Sequence, residues 1–395
     1  MKEKFLRELA DIQTGPFGSQ LHKEDYVADG TPIVTVEHLG NKMFSEQNLP
    51  RVSNTDKNRL KKYVLKQGDI VFSRVGSVDR CSCVDQKHDG WMFSGRCLRV
   101  RPTSEIDSEY LYYYFCLEET KQFVRNISVG ATMPSINTKL LGEVVVTFPE
   151  LEQQKRISGI LSAIDSKIEV NQKINDNLEQ QAVTYFQELY INNANPMWQI
   201  GTISDLGTVV GGSTPSKTKP EYYTNNGIAW ITPKDLSINK SKFISHGEND
   251  ITELGLKNSS ATVMPKGTVL FSSRAPIGYI AIASNEVTTN QGFKSVIPYL
   301  EIGTAFVYFF LKHSLPVIES AASGSTFKEI SGSAMKNIPA IIPDRNTLDQ
   351  FNSFCAPIFA QQKILEEQNH SLAMLRDSLL PKLMSGAIDI ASIQL

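Results

Sequence analysis

The chain has 395 residues, of which 41% are apolar and 21% are charged, and its formal net charge is −2. This length exceeds what one hydrophobic core usually serves, so two or more domains are expected. The composition excludes a disordered or fibrous protein. No apolar run approaches the roughly 20 residues of a membrane helix, and the start lacks the apolar core of a signal peptide. We therefore expect a cytoplasmic protein with no membrane partner.

The first half of the chain is repeated in the second half. Shifts of 194 to 199 residues bring similar residues together in the same order, which chance does not readily produce for a whole series. The matched pairs include Gly15 and Gly212, Tyr26 and Tyr223, Gly68 and Gly267, Tyr114 and Tyr308, Gly130 and Gly324, and Pro149 and Pro343.

Each half contains the same series of predicted elements. A strand runs into a polar loop, a turn glycine precedes a β-rich strand, an aromatic-rich helix follows, and a last strand ends at proline. These four segments are, in chain order and for the two halves, 31–39 and 228–236, 68–75 and 267–274, 109–126 and 304–320, and 141–149 and 335–343. The sequence therefore predicts an α+β fold with two similar globular domains, domain 1 (1–149) and domain 2 (195–343).

A different pattern follows each domain, in residues 150–194 and 344–395. Seam positions alternate in steps of four and three, which is typical of a coiled coil. The first seam is Ile157, Leu161, Ile164, Ile168, Asn171, Asn175, Leu178, Ala182, Tyr185 and Leu189. The second seam is Phe351, Cys355, Ile358, Gln362, Leu365, Asn369, Leu372, Arg376, Leu379 and Leu383.

Neither helix could bury its seam alone, so we expect the two to pair as an antiparallel coiled coil that separates the domains. A helix of some 40 residues is about 60 Å long, which suits a spacer. The alternative is that each helix packs only on its own domain.

Motifs for catalysis are missing from the sequence. There is no GxxxxGK[ST], GxGxxG, HExxH or GxSxG motif. No metal-ligand spacing is present among the six histidines, and the five cysteines form no CxxC pair, so we expect reduced structural thiols and no metal. The sequence therefore predicts a protein that binds and does not catalyse.

Candidate binding residues lie in loops and at strand ends. Arginine suits phosphates and guanine edges, and asparagine and glutamine can pair bidentately with adenine. The Gly-x-Thr elements at 130–132 and 324–326 could offer backbone N–H groups and a hydroxyl to a phosphate. The candidates in domain 1 are Ser19, His22, Lys23, Thr35, Glu37, His38, Arg74, Arg80, Arg96 and Thr132. Those in domain 2 are Ser213, Thr214, Ser216, Lys217, Thr232, Lys234, Arg274, Tyr279, Asn290, Gln291, Lys294, Thr326 and Lys328. Ordinary surface loops and turns are the alternative for each.

The order of these motifs resembles the DNA specificity subunit of type I restriction–modification enzymes. The resemblance covers nearly the whole chain, and it rests on "GDIVFSRVGSV", "GATMPSIN", "ITPKDL", "LFSSRAPIGY", "NQGFKS" and "GSTFKEIS" with their trailing helices. It implies two target recognition domains that each read one half of a split double-stranded DNA site. It also implies spacer helices that dock two modification subunits.

The family resemblance further implies that the chemistry belongs to partner subunits. S-adenosylmethionine, ATP and Mg²⁺ would be bound there, and restriction subunits could join the complex. The recognition blocks carry little positive charge, with 20 basic and 19 acidic residues in 1–149 and 12 and 10 in 195–343. Partner subunits would then supply much of the phosphate contact. Two other hypotheses stay open at this stage, an assembly scaffold without base contacts and a stand-alone methyltransferase or nuclease.

Overall fold

The computed structural model describes residues 1–16, 18, 20–324 and 328–388, with the backbone only at Lys23. The candidates Ser19 and Thr326 therefore lie outside the described residues. The chain forms two compact units, and each of the two long helices contributes to both. Unit 1 contains Met1–Glu169 together with the segment from His370 onward, and unit 2 contains Val170–Asn369.

Unit 1 contains domain 1, whose strands form three small sheets. The strands are β1 (Lys2–Phe5), β2 (Ala10–Thr14), β3 (Tyr26–Val27), β4 (Thr31–Val34), β5 (Arg51–Val52), β6 (Ile70–Ser73), β7 (Cys81–Cys83), β8 (Met92–Phe93), β9 (Cys97–Pro102) and β10 (Val145–Phe148). The sheet orders are β1-β10, β2-β9-β6-β7 and β3-β5-β4-β8. The helices are α1 (Leu6–Leu9), α2 (Asn54–Arg59), α3 (Ser108–Cys116), α4 (Glu118–Ile127), α5 (Thr138–Gly142) and the long α6 (Leu151–Phe186).

Unit 2 contains domain 2, which repeats this topology and adds one strand. Its strands are β11 (Gln199–Thr202), β12 (Gly207–Gly211), β13 (Tyr223–Thr224), β14 (Ile228–Ile231), β15 (Phe243–Ile244), β16 (Asn249–Ile251), β17 (Val269–Ser273), β18 (Ile277–Ala283), β19 (Thr288–Thr289), β20 (Lys294–Pro298) and β21 (Pro339–Ile342). The sheets run β11-β21, β12-β20-β17-β18-β15 and β13-β16-β14-β19, so the predicted repeat is confirmed, with β15 as an additional edge strand. The helices are α7 (Ile203–Leu206), α8 (Pro233–Ile238), α9 (Glu253–Lys257), α10 (Thr304–His313), α11 (Leu315–Ser320), α12 (Gly332–Lys336) and the long α13 (Arg345–Met384).

The long helices pair in opposite directions within each unit. In unit 1, Ile157 and Leu161 near the start of α6 share a core with Leu380 and Leu383 near the end of α13. In unit 2 the end of α6 shares a core with the start of α13. All twenty seam positions are buried or partly buried, so the predicted antiparallel coiled coil is confirmed.

Polar seam residues meet one another in unit 2. The Asn171 side-chain amide donates to Asn369 Oδ1 at 2.9 Å, and the Gln362 amide donates to the Asn175 backbone carbonyl at 3.1 Å. A polar pair inside an apolar seam costs stability in any other alignment, so such pairs fix the register of the two helices.

The aromatic-rich helices differ from the prediction. Each is broken into two, α3 and α4 at Leu117 and α10 and α11 at Ser314, because Leu117 has extended ψ of 134° and Pro316 lies in the first turn of α11. The shift that relates these helices in the two halves also differs from the predicted one. Gly68 approaches the Ser108 hydroxyl and Gly267 approaches that of Thr304, which gives a shift of 196. The sequence pairing of Tyr114 with Tyr308 is therefore wrong, and Tyr112 is the equivalent of Tyr308.

The five cysteines are free thiols, of which only Cys116 is partly exposed. Burial raises the pKa of Cys97 and of Cys355 to about 12, and the thiolate is the reactive form. We therefore expect one thiol at most to react with a thiol reagent at pH 8 in the folded protein, and five after denaturation. Titration with such a reagent tests this, and immediate reaction of all five in the folded protein would contradict it.

Candidate nucleic-acid interface

Backbone hydrogen bonds bring five segments of domain 2 together at one place. Ser213 N–H donates to the Thr289 carbonyl at 2.9 Å, and Asn290 N–H to the Ile231 carbonyl at 3.1 Å. Ser273 N–H donates to the Gly292 carbonyl at 2.7 Å, and Ile330 N–H to the Ser273 carbonyl at 3.1 Å. We call this surface the domain 2 loop edge, formed by Gly212–Thr214, Ile231–Pro233, Ser273–Arg274, Asn290–Lys294 and Glu329–Ile330.

Domain 1 has the same arrangement. Ser94 N–H donates to the Val34 carbonyl at 2.9 Å, Arg74 N–H to the Arg96 carbonyl at 2.8 Å, and Ile136 N–H to the Arg74 carbonyl at 2.9 Å. We call this surface the domain 1 loop edge, formed by Gly15–Pro16, Val34–Thr35, Arg74–Gly76, Ser94–Arg96 and Pro134–Ile136. The two domains therefore share a backbone frame and differ in the side chains placed on it.

One glycine in each domain allows the first loop to leave its sheet at this edge. A Cβ on Gly15 would lie 2.1 Å from the Ser94 carbonyl oxygen, and a Cβ on Gly212 would lie 2.1 Å from that of Asn290. Such distances are far inside van der Waals contact, so only glycine permits this approach. The pairing of Gly15 with Gly212 in the sequence repeat therefore has a structural cause.

The hydrogen bonds identify which side chains are equivalent. Arg74 and Ser273 make the same two backbone hydrogen bonds, so a guanidinium in domain 1 is replaced by a hydroxyl in domain 2. Arg274 pairs with Glu329 as Val75 pairs with Ser135, so Arg274 is the equivalent of Val75. The Ser273 side chain is buried, and its hydroxyl has no hydrogen-bond partner in the described part of the chain.

An acidic residue forms ion pairs with two positively charged side chains of the domain 2 loop edge. Arg274 lies 3.4 Å and Lys294 3.7 Å from the Glu329 carboxylate. Both ion pairs are partly exposed, so they contribute little stability, but they reduce the field that a phosphate would meet. Sequence reasoning missed Glu329, although its place in "GSTFKEIS" beside the Gly-x-Thr element was visible.

Two amide side chains project from the same edge. Asn290 Oδ1 accepts the Gly292 N–H at 2.8 Å, and Gln291 Oε1 accepts the Thr214 hydroxyl. Each carbonyl oxygen retains a second lone pair, and neither NH₂ group has a hydrogen-bond acceptor among the described residues. Asn290, Gln291 and Thr214, three candidates from the sequence, are thus brought together.

The loop after Gly212 is fixed by aromatic side chains that sequence reasoning also missed. The Trp230 indole N–H donates to the Ser213 carbonyl at 3.0 Å, and the Tyr223 hydroxyl donates to the Pro215 carbonyl at 2.6 Å. Trp230 and Tyr223 are themselves in edge-on ring contact. Tyr223 belongs to a matched pair of the repeat, which was the available signal.

Several other candidates are engaged within their own domain. The His38 side chain is 1% exposed, and its ring nitrogens contact the Thr35 backbone N–H at 2.9 Å and the Gln47 carbonyl at 3.1 Å. Thr35 Oγ1 donates to Glu37 at 3.1 Å, and Arg80 donates to the Leu39 carbonyl. These four residues therefore order the segment that follows β4.

The equivalent segment of domain 2 is organised by Asp235. Thr232 donates to its carboxylate from the backbone at 2.7 Å and from the hydroxyl at 2.6 Å, which caps α8. Lys234 lies 2.6 Å from Glu248, whose hydrogen bond raises the pKa of Lys234. Tyr279 contacts the ammonium of Lys240, which lies 4.6 Å above its ring.

The remaining described candidates have exposed side chains, and of Lys23 only the backbone is described. The exposed ones are His22, Arg96, Thr132, Ser216, Lys217 and Lys328. Arg96 and Thr132 lie on or next to the domain 1 loop edge. Ser216 and Lys217 lie in the loop that starts at Gly212.

Two features are absent from the described residues. In ranges 1–16, 18, 20–324 and 328–388, His, Cys, Asp and Glu side chains form no group of three or more that could hold a metal ion. The helices in the same ranges include none that is long and apolar enough to cross a membrane.

Comparison with known proteins identifies the family. The model of the type I restriction modification DNA specificity domain matches residues 1–180 and 195–369. The MjaIX type I restriction enzyme specificity subunit of Methanocaldococcus jannaschii is 43% identical over 162 residues, which cover 40% of this chain and 37% of that protein. The HindI specificity subunit of Haemophilus influenzae is 24% identical over 406 residues, with 83% and 88% covered.

A solved structure has the same fold. The crystal structure of a type I restriction–modification S subunit from M. genitalium gives a TM-score of 0.57 at 17% identity, covering 97% of this chain and 95% of that one. These matches define the class as a non-catalytic DNA-binding subunit that assembles with others into a larger enzyme. The chain belongs to the type I restriction–modification DNA specificity family, with one copy of the specificity domain in each half.

Proposed function

We propose that the two loop edges are the surfaces with which this subunit reads the two halves of a split DNA site. The observation that carries the proposal is the shared backbone frame, which presents different side chains in the two domains. At equivalent positions the domain 1 loop edge has Arg74 where domain 2 has the buried Ser273, while Asn290 replaces Ser94. A guanidinium prefers guanine and an amide prefers adenine, so the two halves of the site would differ in sequence.

The remaining candidate residues fit phosphate contacts. Exposed Lys217 and Lys328 flank the domain 2 loop edge along the chain, and Thr132 is part of a Gly-x-Thr element near the domain 1 loop edge. Phosphate contacts position a protein on DNA and carry no sequence information themselves.

The partners follow from the same assignment. Two modification subunits would dock on α6 and α13 and supply S-adenosylmethionine for adenine methylation. Restriction subunits with ATP and Mg²⁺ would join the same complex. In this scheme the helix pair sets the gap between the half-sites.

Methylome sequencing of a host with and without this gene tests the proposed function. We expect one split adenine-methylated motif that disappears on deletion, because the modification subunits then lose their target. An unchanged methylome would overturn the proposal.

Binding measurements separate base reading from a protein scaffold. The affinity of the complex with its modification partner is measured at several salt concentrations. Each phosphate contact makes the slope of log affinity against log salt concentration more negative by about 0.9. We expect a steep salt dependence together with preference for the split site. A flat response without sequence preference would favour a scaffold that never contacts base edges.

A further inference from the structure

Two lysines occupy equivalent positions in the two domains and do not belong to either loop edge. The Lys42 carbonyl accepts the Cys83 N–H at 2.7 Å, and the Lys242 carbonyl accepts the Ile282 N–H at 2.7 Å. Cys83 in β7 and Ile282 in β18 lie in equivalent strands. The Lys242 side chain is buried, with 6% exposed, and the Lys42 side chain is mostly buried, with 12% exposed. Neither ammonium group can therefore contact DNA.

Lys42 connects domain 1 to α6 through a set of side chains that we call the domain 1 latch, namely Lys42, Glu109 and Ser162. The ammonium lies 3.0 Å from Glu109 on α3 and donates to the Ser162 hydroxyl on α6. Ser162 in turn donates to Glu109 at 2.5 Å. Each of the three side chains therefore contacts the other two, and together they join domain 1 to α6.

A second contact in unit 1 extends this connection to α13. The Tyr113 hydroxyl of α3 donates to Asp165 of α6 at 2.5 Å. The other oxygen of Asp165 accepts from Arg376 of α13 at 2.8 Å. Domain 1 is thus hydrogen-bonded directly to α6 and is connected to α13 through Asp165.

Lys242 connects domain 2 to both helices directly, in the domain 2 latch of Lys242, Glu179, Gln362 and Glu366. Its ammonium pairs with Glu179 on α6 and donates to Gln362 Oε1 on α13 at 2.6 Å. Glu366 on α13 accepts the backbone N–H groups of Lys242 at 2.8 Å and of Phe243 at 3.1 Å. The Phe359 ring lies 4.2 Å from the ammonium.

Burial shifts the pKa values of the ionisable groups in the domain 2 latch. It lowers the pKa of Lys242 and raises the pKa of Glu366. Burial also works against ionisation of Glu179, but Lys242 and Lys312 together keep the pKa of Glu179 below its ordinary value.

Buried charged groups of this kind are poor sources of stability. Desolvation of the ions offsets most of their attraction, and apolar residues in the same space often stabilise a protein equally well. Their directional hydrogen bonds accept only one arrangement of the partners. The two latches are therefore better suited to fixing an angle than to holding the fold together.

We propose that Lys42 and Lys242 are positioning residues that fix each recognition domain on the helix segments of its own unit and thereby set the gap accepted between the half-sites. This inference rests on the proposed function. The lysines act through the orientation of the domains, so the bases that each domain reads do not depend on them.

The test uses the complete complex with Lys242→Met, which keeps the length of the side chain and removes the ammonium group. Affinity is measured for DNA with the native gap and with gaps one base pair shorter and longer. We expect the preference for the native gap over the altered gaps to fall at least tenfold, with the bases of both half-sites unchanged in the methylome. Lys266→Met, at an exposed lysine of the same domain, is the matched control and should keep the native preference.

Two further variants keep the proposal open to refutation if Lys242→Met does not fold. Lys242→Arg keeps the charge but changes its reach, and Lys42→Met tests the other unit independently. A folded complex of any of these three variants with an unchanged gap preference overturns the proposal, as does a change in the bases read. A wild-type complex without preference for any split site would instead refute the proposed function itself.

Discussion

Replacing Asn290 and Gln291 by alanine is expected to relax recognition of one half-site while the other half-site is read unchanged. Both amides project from the domain 2 loop edge, and each has an NH₂ group available to a base. A good bidentate pair contributes about 1–3 kcal/mol of discrimination, so affinity for the full site should fall roughly tenfold to a hundredfold. Methylome sequencing should show the domain 2 half-site degenerate at one or two positions.

Two companion variants distinguish base reading from damage to the loop. Asn290→Asp with Gln291→Glu keeps the oxygen atoms that accept from Gly292 and Thr214 but removes both NH₂ donors, and it should lose the same half-site. Asn225→Ala with Asn226→Ala removes two exposed amides that precede β14, at the opposite end of that strand from Thr232. We expect this control to leave the recognition of both half-sites unchanged. If both half-sites changed equally, independent reading by the two domains would be wrong.

Replacing Phe186 by alanine is expected to lower the free energy of unfolding by about 3–5 kcal/mol. Phe186 lies near the end of α6 and is only 3% exposed. Its ring lies 5.0 Å from Tyr190, 5.6 Å from Phe351 and 5.8 Å from Phe306. The substitution therefore leaves a cavity where α6, α13 and domain 2 meet within unit 2.

Thermal unfolding of the complex measures this effect. At roughly 2–4 °C per kcal/mol for units of about 200 residues, the melting temperature should fall by the order of 10 °C. Ile174→Ala on the exposed face of the same helix is the control, and surface substitutions of this kind stay within about 0.5 kcal/mol. Equal melting temperatures for the two variants would show that the aromatic cluster does not hold the helix to the domain.

The repeat and the helix seams could be predicted because they are properties of spacing along the chain. Glycines that permit a close approach, such as Gly15 and Gly212, and seam residues such as Ile157 keep their places in both halves. The pairing of Tyr114 with Tyr308 failed because the halves differ in length before α3 and α10. Aromatic runs such as "YLYYYF" and "FVYFF" match at several shifts, and only the glycine contacts decide among them.

The loop edges and latches were harder to predict from the sequence because the residues that form them are far apart along the chain. Glu329 meets Arg274 across 55 residues, and Lys242 meets Gln362 across 120. A charge count cannot show such pairing, and a buried lysine has no signature in its neighbours along the chain. The pairing of Gly68 with Gly267 already aligns Arg74 with Ser273, and the backbone hydrogen bonds make the same assignment.

The frame beneath the loop edges consists of peptide N–H and C=O groups, which every residue except proline supplies alike. Side chains above it can thus be exchanged without disturbing what holds the loops in place. A lineage could acquire a new target by a few substitutions at positions such as 74, 94, 290 and 291. Its glycines at 15 and 212 would remain fixed throughout, so divergence among descendants should concentrate in the side chains of the loop edges and spare these two positions.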